Sequence, residues 1–228
     1  MLLAGNSWWI FCRDITERIP ALSEEERISD VPEGSSDFTG EVFRAAETEV
    51  GPVPFERSYW VLPGRLLAGA YPGNPYESRA EEKLRSFLEA GIRCFVDLTS
   101  PEDENLYGQA LVSYRSLIDR VAAGSYKIEY HRMSILDMDV PSNALMREIL
   151  DTIDGSVSRG LPAYVHCLGG FGRTGTVVGC WLVRHGIERG KGVLQLIRKL
   201  RRNDPQSDWE SPQTAGQRRF VLEWKPGE

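Results

Sequence analysis

The sequence predicts an α/β domain built on a central, mostly parallel β-sheet that is flanked by helices. Short apolar segments of strand character alternate with longer segments whose apolar residues recur at helical spacing. One helical segment, 174–185, is apolar on nearly every face, as a helix in the centre of a domain would be. Strands that alternate with helices are typical of a parallel sheet covered on both faces.

The predicted elements begin with a helix over 81–90. Leu84, Phe87 and Leu88 share one face of this helix, and Gly91 provides a natural C-terminal stop. The elements predicted next are a buried strand at 92–98, a helix at 105–118 and a second strand at 127–133.

The second half of the chain repeats this alternation. After Pro141, apolar residues at helical spacing predict a helix over 144–153, and 162–166 predicts a short strand that runs into a glycine-rich turn. The apolar helix 174–185 follows that turn. Two more helices are predicted at 193–202 and 213–224.

The charge distribution divides the chain at about residue 50. The 228 residues carry a net charge of −6, and residues 1–50 contain eleven acidic residues and four arginines, against 22 acidic and 23 basic residues in 51–228. We therefore predict an acidic N-terminal extension over 1–50 and a folded domain over 51–228. An apolar cluster in the extension could pack onto the domain or form a partner surface; it consists of Trp8, Trp9, Ile10 and Phe11.

Composition narrows the class of protein. Hydrophobic residues make up 41% of the chain and charged residues 26%, as in soluble globular proteins. No apolar run approaches the roughly 18–20 residues of a membrane span, and the start of the chain lacks the basic residues of a secretory signal. The negative charge argues against general nucleic-acid binding. The four cysteines form no CxxC pair, so reduced thiols and a cytoplasmic location are expected.

The most informative stretch joins the strand 162–166 to the helix 174–185. Its residues are His166, Cys167, Leu168, Gly169, Gly170, Phe171, Gly172, Arg173 and Thr174. The glycines let successive backbone N–H groups turn inward around an anion, and the helix directs its positive end to the same point. Arg173 can hold two oxygens of a phosphate with its planar guanidinium. The same positive field favours the nucleophilic thiolate of Cys167.

This pattern, Cys-x5-Arg-Thr preceded by histidine, resembles the signature loop of the cysteine-dependent protein tyrosine phosphatase superfamily. Its form is most similar to that of the compact dual-specificity branch, and the resemblance extends over about 55–225. The short domain and the lack of a Lys-Asn-Arg-Tyr segment also favour the compact branch. The resemblance implies a tyrosine-phosphatase-like fold and a reaction that needs neither metal nor organic cofactor.

The resemblance also implies roles for the loop residues. Cys167 would attack the phosphorus and form a phosphocysteine intermediate, while Arg173 would hold the phosphate oxygens together with the loop amides. Those amides belong to Leu168, Gly169, Gly170, Phe171 and Gly172. Thr174 would hydrogen-bond the departing sulfur, and His166 would orient the loop rather than donate a proton.

Phosphatases of this superfamily take their general acid from an aspartate on a loop upstream of the signature. Asp137 and Asp139 lie after the strand 127–133 and before Pro141, which is the expected context. By the resemblance, the acid stands four residues before the matching proline, which assigns it to Asp137. Asp139 would then help to cap the next helix or remain in solvent, although both aspartates could instead merely precede that helix.

A further match involves two glutamines at the start of the last predicted helix. The segment from Gln213 to Phe220 resembles the segment with which classical tyrosine phosphatases position the hydrolytic water. Gln213 would orient that water and Gln217 would assist it. Glutamines at this spacing are also common on helix surfaces.

We therefore predict a protein phosphatase whose partner is a phosphorylated protein or peptide. Phosphotyrosine is the expected substrate, with phosphoserine and phosphothreonine also open. The alternatives are a phosphatase of a phosphoinositide, an inositol phosphate or an RNA 5′-triphosphate, and a non-catalytic phosphate-binding module. Cys94 and Cys180 are expected in the core, and either could form a reversible disulfide with Cys167.

Overall fold

The computed structural model describes residues 38–48, 51–105 and 108–228. The elements in these ranges are α1 (Phe38–Glu47), β1 (Ser58–Leu62), β2 (Leu66–Gly69), α2 (Glu77–Glu89), β3 (Cys94–Asp97), α3 (Arg115–Ala122), β4 (Glu129–Arg132), α4 (Asn143–Ser158), β5 (Ala163–His166), α5 (Arg173–Arg184), α6 (Lys191–Leu200) and α7 (Ala215–Glu223). The apolar cluster at residues 8–11 and Cys12 lie outside the described residues.

The five strands form one sheet in the order β1-β2-β5-β3-β4. β1 and β2 are antiparallel to each other. The strands β2, β5, β3 and β4 run parallel to one another. The carboxyl ends of β5 and β3 therefore meet at one edge, with His166 paired to Asp97. Ligands of parallel sheets bind at such an edge, so the segments that follow β5 and β3 are placed side by side.

Helices cover both faces of this sheet, as the sequence predicts. On one face, α2 and α3 pack on β-strand residues such as Leu67, Phe95 and Tyr164. On the other face, α4, α5, α6 and α7 share a core with Val96 and Val165. Every residue of α5 from Arg173 to Val183 is buried, which confirms the prediction of a central helix that is apolar on all sides.

Helix α1, which the sequence analysis placed in the extension, packs on the described part of the domain. Val42, Ala45 and Ala46 lie in the main core, and the Phe38 ring stacks on Trp181 with the ring centroids 5.9 Å apart. The charge balance of residues 1–50 does not register the apolar residues of α1, so charge counting assigned the helix to the extension.

Arginines of the domain bind both ends of α1. Arg202, just beyond α6, donates to the carbonyl oxygens of Ala45 and Ala46, each at 2.9 Å. Arg65 pairs with Glu41 in the first turn of the helix. Carbonyls at a helix C-terminus lack intrahelical donors, so Arg202 supplies hydrogen bonds that the helix itself cannot make.

Two further local predictions differ from the structure. The helix predicted at 105–118 is displaced, because 108–114 is non-helical and α3 begins at Arg115. Gly108 has a φ of 69°, and the Tyr114 side chain is drawn into the core by a hydrogen bond to His166. The β1–β2 hairpin was not predicted, because both strands are short and buried on both faces, which removes the alternating pattern.

None of the helices described is long and apolar enough to cross a membrane.

Candidate active site

The loop between β5 and α5 surrounds the sulfur of Cys167. The Cys167 side chain is 2% exposed, and the Gly170 backbone N–H donates to Sγ at 3.2 Å. Gly170 has a φ of 81°, and a Cβ atom there would lie 2.6 Å from the backbone of Gly69 and Ala70. Glycine is therefore required at this position, both for its backbone conformation and for its close contact with β2.

The carbonyl groups of the loop are bound by the surrounding protein. The carbonyl of Leu168 accepts from the backbone N–H of Tyr71 at 3.1 Å, that of Gly169 accepts from Arg57 at 2.7 Å, and that of Phe171 accepts from Ser211 at 2.8 Å. Three carbonyls of the loop are therefore bound outside it, while the Gly170 N–H is directed to the sulfur at its centre. Binding of an anion by the other loop amides stays a prediction.

Thr174 holds the backbone of the cysteine. Its Oγ1 accepts from the Cys167 N–H at 2.9 Å, and its hydroxyl donates to the Gly69 carbonyl at 3.3 Å. Thr174 thus links β2 to the first residue of the loop. The role that the resemblance implies for this hydroxyl, a hydrogen bond to the departing sulfur, stays a prediction.

Arg173 is buried, with 1% of its surface exposed. Its Nη1 atom donates to Asp103 Oδ1 at 3.1 Å and to the Ile135 carbonyl at 2.9 Å. Its Nε group finds no hydrogen-bond partner among the described residues, and its Nη2 atom lies 3.0 Å from Asp137 Oδ1. Burial lowers the pKa of Arg173, but the facing Cys167, Asp103 and Asp137 outweigh burial and raise the pKa. The charged guanidinium is therefore paired with Asp103 and Asp137 through its two Nη atoms and keeps an unpartnered Nε–H.

Asp103 is the site residue that the sequence analysis missed. It lies in the turn after β3, and one of its carboxylate oxygens is 2.7 Å from Arg173 Nη1. The Asp103 side chain is almost completely buried. Its signal in the sequence was weak: the turn follows a parallel strand and so faces the loop, but nothing distinguished this acidic residue from its neighbours.

Of the two candidate acids, Asp137 is the one that faces the loop. Its Oδ1 atom lies 3.0 Å from Arg173 Nη2, and 61% of its side chain is exposed. The intervening Met138 has a φ of 64°, which turns the chain between the two aspartates. Asp139 is exposed and accepts from the Val140 N–H, so it stays in solvent. The cap of α4 is Ser142, not Asp139.

The two glutamines lie beside the loop but have different surroundings. Their side-chain oxygens are placed near Gly172, where a Cβ atom would lie 3.1 Å from Gln213 Oε1 and 3.3 Å from Gln217 Oε1. Gln217 is fully buried; it forms a capping box with Thr214 and donates to the Asp139 carbonyl at 3.0 Å. Gln213 lines the cavity above Cys167. Gln217 thus connects α7 to the loop that carries Asp137.

His166 is buried beneath the loop, with its ring stacked on Tyr164. Its Nε2 atom lies 2.5 Å from the Tyr114 hydroxyl, and Nδ1 lies 3.4 Å from the Cys167 carbonyl. Burial lowers the pKa of His166, although Asp97 opposes that shift. If the Tyr114 hydroxyl donates to Nε2, the Nδ1–H faces the Cys167 carbonyl. The role of His166 in orienting the loop stays a prediction.

Cys167, Arg173, Asp137 and Gln213 all line one open cavity of about 530 Å³. Its walls are largely apolar and aromatic, and they include Phe55, Tyr71, Pro75, Val112, Met138 and Trp209. Its cationic side chains are Arg57, Lys83 and Arg173. A cavity of this kind can hold a phosphate on an aromatic or alkyl stem, next to both a nucleophile and an acid.

A separate cluster at the other end of β3 has side chains of metal-ligand type. Ligand atoms of Cys94, Glu129 and His131 lie within 4.8 Å of one another. Glu129 is paired with Arg159 at 2.6 Å, and burial raises the pKa of Cys94 to about 11. A metal would have to displace this arginine and deprotonate this thiol. The three side chains therefore fit a role in packing and ion pairing better than a role as metal ligands.

The fold and the loop together define a cysteine-dependent phosphatase of the protein tyrosine phosphatase superfamily. The chain belongs to the family described as Tc-R-P, the polymorphic toxin system DSP-PTPase phosphatases, whose model matches residues 70–187. This membership confirms the resemblance to the dual-specificity branch and the class of enzyme that the sequence predicts.

Individual relatives agree with this assignment. The chain is 27% identical over 131 residues to dual specificity protein phosphatase CDC14B of Mus musculus, a match that covers 55% of this chain and 24% of the mouse protein. It is 26% identical over 167 residues to the putative tyrosine phosphatase 067L of invertebrate iridescent virus 3, covering 69% and 60% of the two chains. The crystal structure of Tk-PTP in its active form has a TM-score of 0.55 at 22% identity, covering 74% of this chain and 96% of that one.

Proposed function

We propose that this chain hydrolyses phosphomonoesters on protein, first of all phosphotyrosine, through a phosphocysteine intermediate. The observation that carries the proposal is the position of Arg173 in the same cavity as Cys167. Its Nε group is buried without a hydrogen-bond partner among the described residues, and its Nη2 group faces the exposed carboxylate of Asp137, which a bound phosphate would displace. Nε and Nη2 are a planar pair of donors that matches two oxygens of a phosphate.

In the first step, the Cys167 thiolate attacks phosphorus and the bond from phosphorus to the substrate oxygen breaks. Asp137 donates its proton to that departing oxygen. Arg173 and the loop amides bind the three non-reacting oxygens, where negative charge accumulates in the transition state. Asp137 is suited to this role because it is exposed to the cavity and contacts Arg173.

In the second step, water attacks the phosphocysteine and the S–P bond breaks, which regenerates the thiolate. Asp137, now a carboxylate, accepts the proton of that water. Gln213 orients the water, because it lines the cavity beside the loop and its Oε1 approaches Gly172. Inorganic phosphate then leaves the loop. Both steps use only water and side chains of this chain.

A protein substrate is favoured by the rim of the cavity. Val112, Met138 and Trp209 line the cavity and are each at least half exposed, between 50% and 58%. Apolar residues exposed around a polar site mark contact with a protein surface.

We also infer a cytoplasmic site of action, because the proposed nucleophile must stay a reduced thiol. The family description suggests that this activity serves a polymorphic toxin system.

The test combines chemistry and substrate range. We expect hydrolysis of p-nitrophenyl phosphate in the presence of EDTA and inhibition of that hydrolysis by vanadate. We also expect an acid-stable mass increase of one phosphoryl group on Cys167. A panel of phosphotyrosine, phosphoserine and phosphothreonine peptides, phosphoinositides and an RNA 5′-triphosphate should show the highest kcat/KM for a phosphopeptide. Vanadate binding without turnover would instead identify a phosphate-binding module.

A further inference from the structure

The active-site cavity has two cationic side chains that the proposed reaction does not use. Arg57 precedes β1 and Lys83 lies in α2, and both line the cavity together with Cys167. Within the described part of the chain, neither lies within 4.0 Å of a carboxylate. The cavity therefore has, besides the paired charge of Arg173, two cationic side chains without a carboxylate partner among the described residues.

Arg57 is fixed next to the phosphate loop. Its Nη2 atom donates to the Gly169 carbonyl at 2.7 Å and to Gln206 Oε1 at 2.5 Å. Both acceptors are uncharged. Its Nε group is buried and has no hydrogen-bond partner among the described residues. An N–H of a cation that is buried without an acceptor is costly, and a bound anion would satisfy it.

Lys83 approaches the same region from α2. Its Nζ atom lies 4.0 Å from the centroid of the Phe55 ring, which orients the ammonium across the cavity wall. Burial lowers the pKa of Lys83, and repulsion from Arg57 lowers it further, while Glu56 opposes the change. The two cations thus repel each other, and an anion bound close to both would offset that repulsion.

We propose that Arg57 and Lys83 form a second anion subsite that binds an acidic side chain flanking the phosphorylated residue of a peptide substrate. This proposal rests on the proposed function and adds a sequence preference to it. The chemistry recognised is a compact anion, which a glutamate or a second phosphorylated residue could supply. A peptide is favoured because the same cavity has the exposed apolar rim of Val112, Met138 and Trp209.

The test compares three phosphotyrosine peptides that differ only in their flanks, which contain glutamate, glutamine or phosphoserine. For the full chain, kcat/KM should be about tenfold higher for the glutamate peptide than for the glutamine peptide, since hydrogen bonds to charged groups contribute about 1.5–3 kcal/mol. The preference should decrease with ionic strength, because ion pairs are screened by salt. The phosphoserine peptide reports whether a second phosphate is preferred to a carboxylate.

The Lys83→Met variant should reduce the glutamate-to-glutamine ratio toward one, and Lys83→Arg should restore it. The matched control is Lys127→Met, which removes the same charge from an exposed position outside the cavity and should retain the ratio. The subsite is wrong if the full chain shows no preference, or if the control loses as much preference as Lys83→Met. The salt dependence of the unmodified chain tests the same point without any variant.

These outcomes are separable from failure of the proposed function. Formation of phosphocysteine from p-nitrophenyl phosphate tests the reaction without a second anion, so it can succeed when the peptide preference is absent. If a phosphoinositide is a better substrate than all three peptides, the peptide assignment fails although the chemistry stands.

Discussion

Arg173 Nη1 lies 2.7 Å from a carboxylate oxygen of Asp103, and both side chains are almost completely buried. The pair connects the turn after β3 to the first residue of α5, across 70 positions of sequence. Nη1 also donates to the Ile135 carbonyl, so two hydrogen bonds fix the Nη1 edge of the guanidinium. The opposite edge consists of Nε and Nη2, with Nη2 3.0 Å from Asp137, and it is the edge proposed to bind phosphate.

Asp103→Asn should therefore impair catalysis through Arg173. The amide preserves the shape of the side chain but loses the charge, and a charge-assisted hydrogen bond contributes about 1.5–3 kcal/mol, equivalent to about tenfold to hundredfold in kcat/KM. Vanadate affinity should weaken in parallel. The control is Glu102→Gln in the same turn, which is exposed and should have little effect. A variant with full activity but a lower Tm would show that Asp103 is only structural.

The choice between the two aspartates can be tested with substrates of different leaving groups. Asp137→Asn should lower kcat by about 10²–10⁴-fold on phosphates with poor leaving groups, which need a proton. The loss should shrink for a good leaving group, and the basic limb of the pH profile should flatten. Asp139→Asn is the matched control and should lower kcat only slightly, because Asp139 remains in solvent. Reversed penalties would identify Asp139 as the acid.

Two variants separate the nucleophilic attack by Cys167 from the binding of phosphate. Cys167→Ser should abolish turnover but retain measurable phosphate binding, because the loop amides and Arg173 remain. Arg173→Lys should impair both, since an ammonium cannot present the two parallel N–H groups of a guanidinium. Isothermal titration with phosphate and a turnover assay measure the two properties independently. Substantial turnover by Cys167→Ser would exclude the covalent mechanism.

The two glutamines should give different phenotypes. Gln213→Ala should slow breakdown of the phosphocysteine, which is seen as a burst of product followed by a slower steady state. Gln217→Ala should lower stability by about 1 kcal/mol or more, because it removes the capping box of α7. It should also loosen the segment at Asp139. A burst in Gln217→Ala at unchanged Tm would assign the water-positioning role to Gln217.

The contribution of α1 to the domain can be measured by thermal unfolding of the full chain. Val42 is fully buried, so Val42→Ala should lower stability by about 1–3 kcal/mol. Arg44→Ala, on the exposed face of the same helix, is the control and should change Tm little. If Val42→Ala leaves Tm unchanged, the helix does not contribute to the cooperative unit.

Short-range information in the chain was enough to predict the phosphate loop. The spacing from Cys167 to Arg173, the intervening glycines and the helix that follows are local properties, and their electrostatic consequence depends on neighbours in sequence. The alternation of strands and helices likewise predicted a parallel sheet, and with it the edge at which the loop lies. The resemblance to the compact phosphatases assigned the general acid to Asp137, four residues before Pro141, and the structure places this residue against Arg173.

Contacts between distant segments required the three-dimensional structure. The contact of Asp103 with Arg173 depends on β3 lying next to β5, and the bond from Tyr114 to His166 depends on a loop that local pattern assigned to a helix. The core position of α1 follows from its contacts with Trp181, Arg65 and Arg202, which charge counting along the chain cannot detect. Periodicity and charge describe single segments, whereas these positions are set by the free energy of packing one segment on another.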